Sequence, residues 1–117
     1  MLTYNEKGYL ELKEDDLIFH NFDLTEQLSM LSKFGIERQS MIAMEECAEL
    51  QKAVSKLIRY ADSDYEKFKQ LRKDLVEEIG DVMICIYQLK LFYEIKQSEI
   101  QKVIDFKQKR GLDRYDL

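Results

Sequence analysis

The sequence predicts an all-α fold, an antiparallel bundle of about four helices, on three observations. Proline is absent and glycine occurs four times in 117 residues, a composition that suits helices and fits a turn-rich sandwich or barrel poorly. Apolar residues recur at helical spacing through long stretches that contain no breaker. The short interruptions between those stretches carry helix-capping signals, and short connections make neighbouring helices antiparallel.

Residues 1–23 form a lead-in whose structure the pattern leaves open between strand and turn, because Tyr9, Leu10, Leu12, Leu17, Ile18 and Phe19 stand among charges without a clear period. The remaining residues, 24–117, form the helical domain. Asp23 followed by Glu26 reads as an N-cap with its return partner. Leu24, Leu28 and Leu31 then give an apolar stripe that Gly35 ends, so the first helix spans 24–34. From Ile36 to about Ala61, Met41, Ile42, Met44, Leu50, Val54, Leu57 and Ile58 recur at helical spacing for about seven turns. Asp62-Ser63-Asp64 interrupts them, and Ser63 with Glu66 reads as a capping box opening a third helix that runs to about Tyr93. Ser98 with Gln101 repeats the device for a fourth, with Arg110 in its last turn and Gly111 just beyond as a left-handed cap.

One chain of this length holds one core. The longest uncharged apolar run, Val82 to Tyr87, falls far short of the roughly 20 residues that cross a bilayer, and Glu6 and Lys7 stand where a signal peptide needs apolar residues. A cytoplasmic protein with no membrane partner is the expectation. Eighteen basic residues against 23 acidic give a net charge of −5, which argues against a nucleic-acid duplex as partner. Cys47 and Cys85 sit in apolar helical pattern and read as reduced, inert core thiols; Met30, Met41, Met44 and Met83 read as core filler. The stretch Val82-Met83-Ile84-Cys85-Ile86-Tyr87 is apolar on every side, more than a small bundle can cover, so a second subunit is expected over part of it and the protein is expected to be a homo-oligomer, dimer or tetramer.

The chemistry lies in two matching acidic clusters, Glu45-Glu46-Cys47-Ala48-Glu49 and Glu77-Glu78-Ile79-Gly80-Asp81. At about 100° per residue the three acids of each fall within one arc of their helix. The clusters centre on residues 47 and 79, each 16 residues from Ser63. In an antiparallel hairpin they therefore lie level, roughly 24 Å along each helix from the turn. Level carboxylates either stay solvated or face a cation. Leu50, Ile79 and Val82 flank the acids as packed neighbours that draw one acid of each cluster inward, and Ala48 and Gly80 leave room for close helix approach or a ligand. Oxygen-only ligands suit Mg²⁺ or Mn²⁺. The single histidine, His20, stands outside both clusters, and the Glu-x-x-His pair of di-iron bundles is missing.

Glu45-Glu46-x-x-Glu49, then 28 residues, then Glu78-x-x-Asp81 resembles the EExxE...ExxD signature of the all-α nucleoside triphosphate pyrophosphohydrolases, the MazG-like group that includes dimeric dUTPases and dCTP pyrophosphatases. The resemblance covers most of residues 36–110, with Met44 to Leu50, Leu75 to Val82 and Lys107-Gln108-Lys109-Arg110-Gly111 as its text. It implies Mg²⁺-dependent hydrolysis of a nucleoside triphosphate to monophosphate and pyrophosphate, with Glu46, Glu49, Glu78 and Asp81 as metal ligands and Glu45 orienting or activating the attacking water. It also implies that Lys107 and Arg110, with Lys109 or Arg114 as substitutes, touch phosphate. Gln39, seven residues before Glu46 on the same face, can reach a ligand. Phe34, Tyr87 and Tyr93 are the aromatic candidates for a base. The alternative function is a non-catalytic helical oligomerisation module whose acidic faces meet a basic partner.

Overall fold

In a computed structural model the chain is described over residues 2–8, 10–12 and 22–116. His20 and the apolar residues Leu17, Ile18 and Phe19 lie outside the described residues. The first described element is a hairpin of two short strands, β1 (Leu2–Tyr4) and β2 (Leu10–Leu12), paired antiparallel with Leu2 opposite Leu12 and Tyr4 opposite Leu10. Asn5 sets the reversal: its Oδ1 accepts from Lys7 N at 2.9 Å and its carbonyl from Gly8 N at 3.0 Å, with Gly8 at φ +83°. Three-residue strands are too short for a period-two pattern, which is why the sequence leaves this segment open.

From Leu24 onward the described elements are all helices. Helix α1 (Leu24–Phe34) begins at Asp23, whose Oδ1 accepts from Glu26 N at 3.0 Å, and ends at Gly35, φ +81°, whose N–H reaches Leu31 O. Helix α2 (Ile36–Arg59) follows at once and turns through residues 60–64 into α3 (Tyr65–Phe92). The cap of α3 is Asp64, not Ser63: Asp64 Oδ1 accepts from Lys67 N at 2.9 Å. The Lys67 ammonium also lies 3.8 Å from the Tyr60 ring centroid, tying the start of α3 to the end of α2. Helix α4 (Gln97–Arg114) starts one residue before Ser98, with Glu99 Oε2 accepting from Lys96 N at 2.7 Å. It runs through Gly111 rather than stopping there.

The packed unit is smaller than a four-helix bundle. Helices α2 and α3 lie antiparallel and α1 docks on their seam, while α4 buries none of its residues. Among the described residues, Leu31, Ala43, Ala53, Leu71, Val82 and Cys85 form the buried apolar core, and no large side chain is fully enclosed. The Cα radius of gyration is 17.6 Å, against about 13 Å for a compact domain of this length. Sequence pattern overstates burial accordingly. Cys47, Met30, Met41, Met44 and Ile79 are exposed, because helical periodicity marks which residues want cover and says nothing of whether one chain supplies it. Within Val82–Tyr87, Val82 and Cys85 turn inward while Ile84 and Ile86 face out. Among the described residues no helix is long and apolar enough to cross a membrane.

The cap assignment is directly checkable. Asp64→Ala lowers stability by about 1 kcal/mol in denaturant unfolding, and Ser63→Ala stays within about 0.5 kcal/mol.

Candidate functional site

The hairpin turn determines which residues of α2 and α3 face each other, and it sets Glu46 opposite Asp81. Glu78 and Asp81, three apart on α3, share a face. One carboxylate oxygen from each of Glu46, Glu78 and Asp81 lies within 4.8 Å of the other two. Glu46 and Glu78 are half-buried and Asp81 is exposed. Three negative charges so close cannot all ionise without a penalty. Burial is the first cause that pushes the Glu46 carboxyl above its ordinary value; the charges of Asp81, Glu78 and Glu49 add to it, as does a hydrogen bond to Asp81. Glu78 is raised likewise, by burial first and then by Asp81, Glu49, Glu77 and Asp74. Glu78 Oε2 is buried with no hydrogen-bond partner.

These donors fit a hard divalent cation. All are oxygens, they converge, one lacks any protein partner, and a positive ion would remove the repulsion that raises their proton affinity. Glu49 stands outside the triangle, half-exposed, with its Oε1 3.3 Å from Lys52 Nζ, although its charge is felt by both Glu46 and Glu78. Glu45 is exposed beside Glu46. Toward the turn, a cleft of about 120 Å³ is lined by Glu49, Lys52, Lys56, Asp74 and Glu78 over a floor of Ala53 and Leu71, so two cations flank the acids. Gly80 has open space where a Cβ would stand, so it serves no close helix approach within the chain.

The other anticipated residues divide. Lys107 and Arg110 lie on α4, none of whose residues is buried, and the Arg110 guanidinium sits 5.9 Å from the Phe106 ring of its own helix. Phe34 is covered by the Arg38 guanidinium at 4.1 Å, Tyr87 stacks on Phe22 with centroids 4.5 Å apart, and Tyr93 stays exposed with its hydroxyl 3.3 Å from that of Ser40. The Cys85 thiol is pushed up by burial, then by Glu46, Cys47 and Asp81, and so stays protonated. Gln39 is no surface residue: it is buried on the α2–α3 seam, where its Nε2 donates to Gln88 Oε1 at 3.1 Å. Gln88 in turn donates to Gln27 Oε1 at 2.8 Å. Sequence reasoning passed over Gln27 and Gln88. The available signal was a glutamine in register with the buried stripes, three residues after Cys85 and four before Leu31.

Comparison with protein-family models, with curated proteins and with solved structures returns no match for this chain.

Because Glu46 and Glu78 bind protons more tightly in the folded than in the unfolded chain, their contribution to stability is complete below the ordinary carboxylate value of 4.5 and is lost as pH rises through the raised values. Metal-free Glu46→Gln therefore melts higher than the unmodified chain at pH 7, and the difference shrinks toward pH 4. Equal melting curves across that range would mean that the three acids do not interact.

Proposed function

We propose that the protein is a Mg²⁺-dependent nucleotide pyrophosphohydrolase that cleaves a nucleoside triphosphate to monophosphate and pyrophosphate, a housecleaning activity on the cellular nucleotide pool. The observation that carries this reading is the Glu46–Glu78–Asp81 triangle, an oxygen-only cluster with a buried, unpartnered carboxylate oxygen. Its acids are those of the paired motif that resembles the MazG-like enzymes. Glu46, Glu78 and Asp81 would hold the ion, with Glu49 joining from the next turn once its contact with Lys52 is exchanged. Mg²⁺ or Mn²⁺ held there would neutralise phosphate charge and would lower the pKa of bound water.

The chain's own groups supply the rest. Glu45, exposed one residue before Glu46, orients the attacking water and takes its proton as the water oxygen bonds to the α-phosphorus, while the bond from that phosphorus to the α–β bridging oxygen breaks and pyrophosphate leaves. Lys52 and Lys56, in the cleft beside Glu78, are placed to receive phosphate oxygens. Lys107 and Arg110 keep that role only where α4 meets the site of another copy. A second copy is proposed on a separate observation: Val103, Phe106 and Leu112 of α4 and Ile84 and Ile86 of α3 are all exposed, a surface that costs free energy in water until it is covered. The same observation favours a second reading, a non-catalytic oligomerisation module whose acidic faces bind a basic partner.

With Mg²⁺, the chain releases pyrophosphate from at least one ribo- or deoxyribonucleoside triphosphate, and Glu46→Gln lowers that rate about 100-fold or more with its helicity intact. Absence of release from the whole panel, together with no Mg²⁺-dependent rise in melting temperature, would leave the module reading. Light scattering gives a mass at least twice the 14.0 kDa of one chain; a monomer at micromolar concentration would remove the second copy.

A further inference from the structure

Three glutamines, one from each packed helix, are as buried as the apolar core: Gln27 is 6% exposed, Gln39 3% and Gln88 5%. Their carboxamides form a chain with one direction. Gln88 spends both ends, donating Nε2–H to Gln27 Oε1 and accepting on Oε1 from Gln39 Nε2. Gln88 therefore cannot flip without breaking both bonds, and its orientation dictates that of Gln39. The chain ends on Gln39 Oε1, which is buried and has no hydrogen-bond partner. A buried acceptor left unmet is unusual in a folded protein and asks for a donor from outside the chain.

The place of that acceptor suggests the donor. Gln39 stands seven residues from Glu46 on α2, and Gln88 seven residues from Asp81 on α3. Two helical turns, about 10.5 Å, separate the amide pair from the acid pair on the same seam. A nucleotide whose phosphates lie at the acids has its base on that scale of distance from them. The opposite direction along the seam leads to the hairpin turn and the cleft where Lys52 and Lys56 stand among Glu49, Asp74 and Glu78, a lining that would take phosphate together with a cation held by the acids.

We propose that Gln39 Oε1 accepts an N–H of the nucleobase, and that Gln88 and Gln27 are positioning residues that hold the carboxamide with its oxygen toward the ligand. The inference rests on the nucleotide reading above and deepens it: the ligand class is a nucleotide whose base presents an N–H, imide or amine, at the edge facing α2. Because Gln39 is buried, the contact forms in a site shut off from water, where a blocked N–H leaves the acceptor unmet and is penalised fully.

The test is binding by the full-length, metal-free chain, read on the side-chain amide signals of Gln39 and Gln88 in ¹⁵N NMR and needing no turnover. The probes are nucleosides and nucleoside monophosphates of each base, with analogues N-methylated at the imide or amine. At least one natural base is expected to shift both amide signals, and its N-methylated form to bind about tenfold more weakly or worse. Gln88→Met is expected to abolish that discrimination, with Gln27→Met reporting the same loss should the first variant fail to fold. No shift from any base would overturn the proposal and leave Oε1 to a buried water. Equal binding of the methylated form would also overturn it, as would variants that melt lower yet keep the full discrimination, since the chain would then only be structural. Failed pyrophosphate release with an intact amide response would count against the hydrolase reading alone.

Discussion

Carboxylates on facing helices repel, yet the α2–α3 hairpin holds Glu46, Glu78 and Asp81 with oxygens within 4.8 Å of one another. Their positions are dictated by the turn at residues 60–64 and by apolar contacts that tolerate no slip: Ala53 and Leu71 are buried on the turn side of the acids, and Ala43, Val82 and Cys85 on the far side. A shift of one residue would carry each of these out of the core, so the helices cannot relieve the repulsion by sliding. What remains is to hold protons or to hold a cation. The raised proton affinity of Glu46 and Glu78 is the metal-free answer, and the same repulsion would be relieved by a divalent ion.

The glutamine chain acts on the same register from the other end. Buried amides that are satisfied only by one another distinguish one alignment of three helices from its neighbours, which aliphatic contacts do poorly. Gln88 does this for α2 and α1 at once, so the seat of α1 and the opposition of Glu46 to Asp81 are coupled through a single side chain. The seam is then ordered along its length, with lysines toward the turn, acids in the middle and amides beyond. On the proposed nucleotide reading, with a cation held by the acids, that order would match an extended molecule that is anionic at one end and carries a hydrogen-bonding ring at the other.

Much of this was legible in the sequence, for local reasons. The limits of α1 follow from Asp23 and Gly35, and the level placement of the acids follows from their equal distance from Ser63, because helical rise is uniform and the turn is short. The cap of α3 was misplaced by one residue, since Ser63 and Asp64 both have capping side chains and only geometry chooses between them. Gly111 misled for the opposite reason: a glycine permits a helix to end and does not compel it. Burial was the least legible property. Met44 and Val82 read alike on paper, and one is exposed while the other is core, because their difference depends on which faces the chain itself can cover. Gln27 and Gln88 escaped notice, and Gln39 was read as a ligand contact without its burial, because a polar residue in a stripe ordinarily marks the solvent edge.

The uncovered surface bears on what the acids can do. Helix α4 carries Lys102, Lys107, Lys109, Arg110 and Arg114 against Glu99, Asp105 and Asp113, so it is basic in a chain whose net charge is −5. Its exposed Phe106 and Val103 give it an apolar stripe open to solvent. Apolar cover and opposite charge are both offered by the α2–α3 hairpin of another copy, where Ile79, Ile84 and Ile86 are exposed near the acidic clusters. Docking there would rebuild a four-helix arrangement between chains, and it would bring Lys107 and Arg110 toward carboxylates that α4 does not reach in its own chain. The phosphate role read from the sequence and the helix that buries none of its residues would then be compatible, since an oligomer would close the bundle and supply the cations in one step.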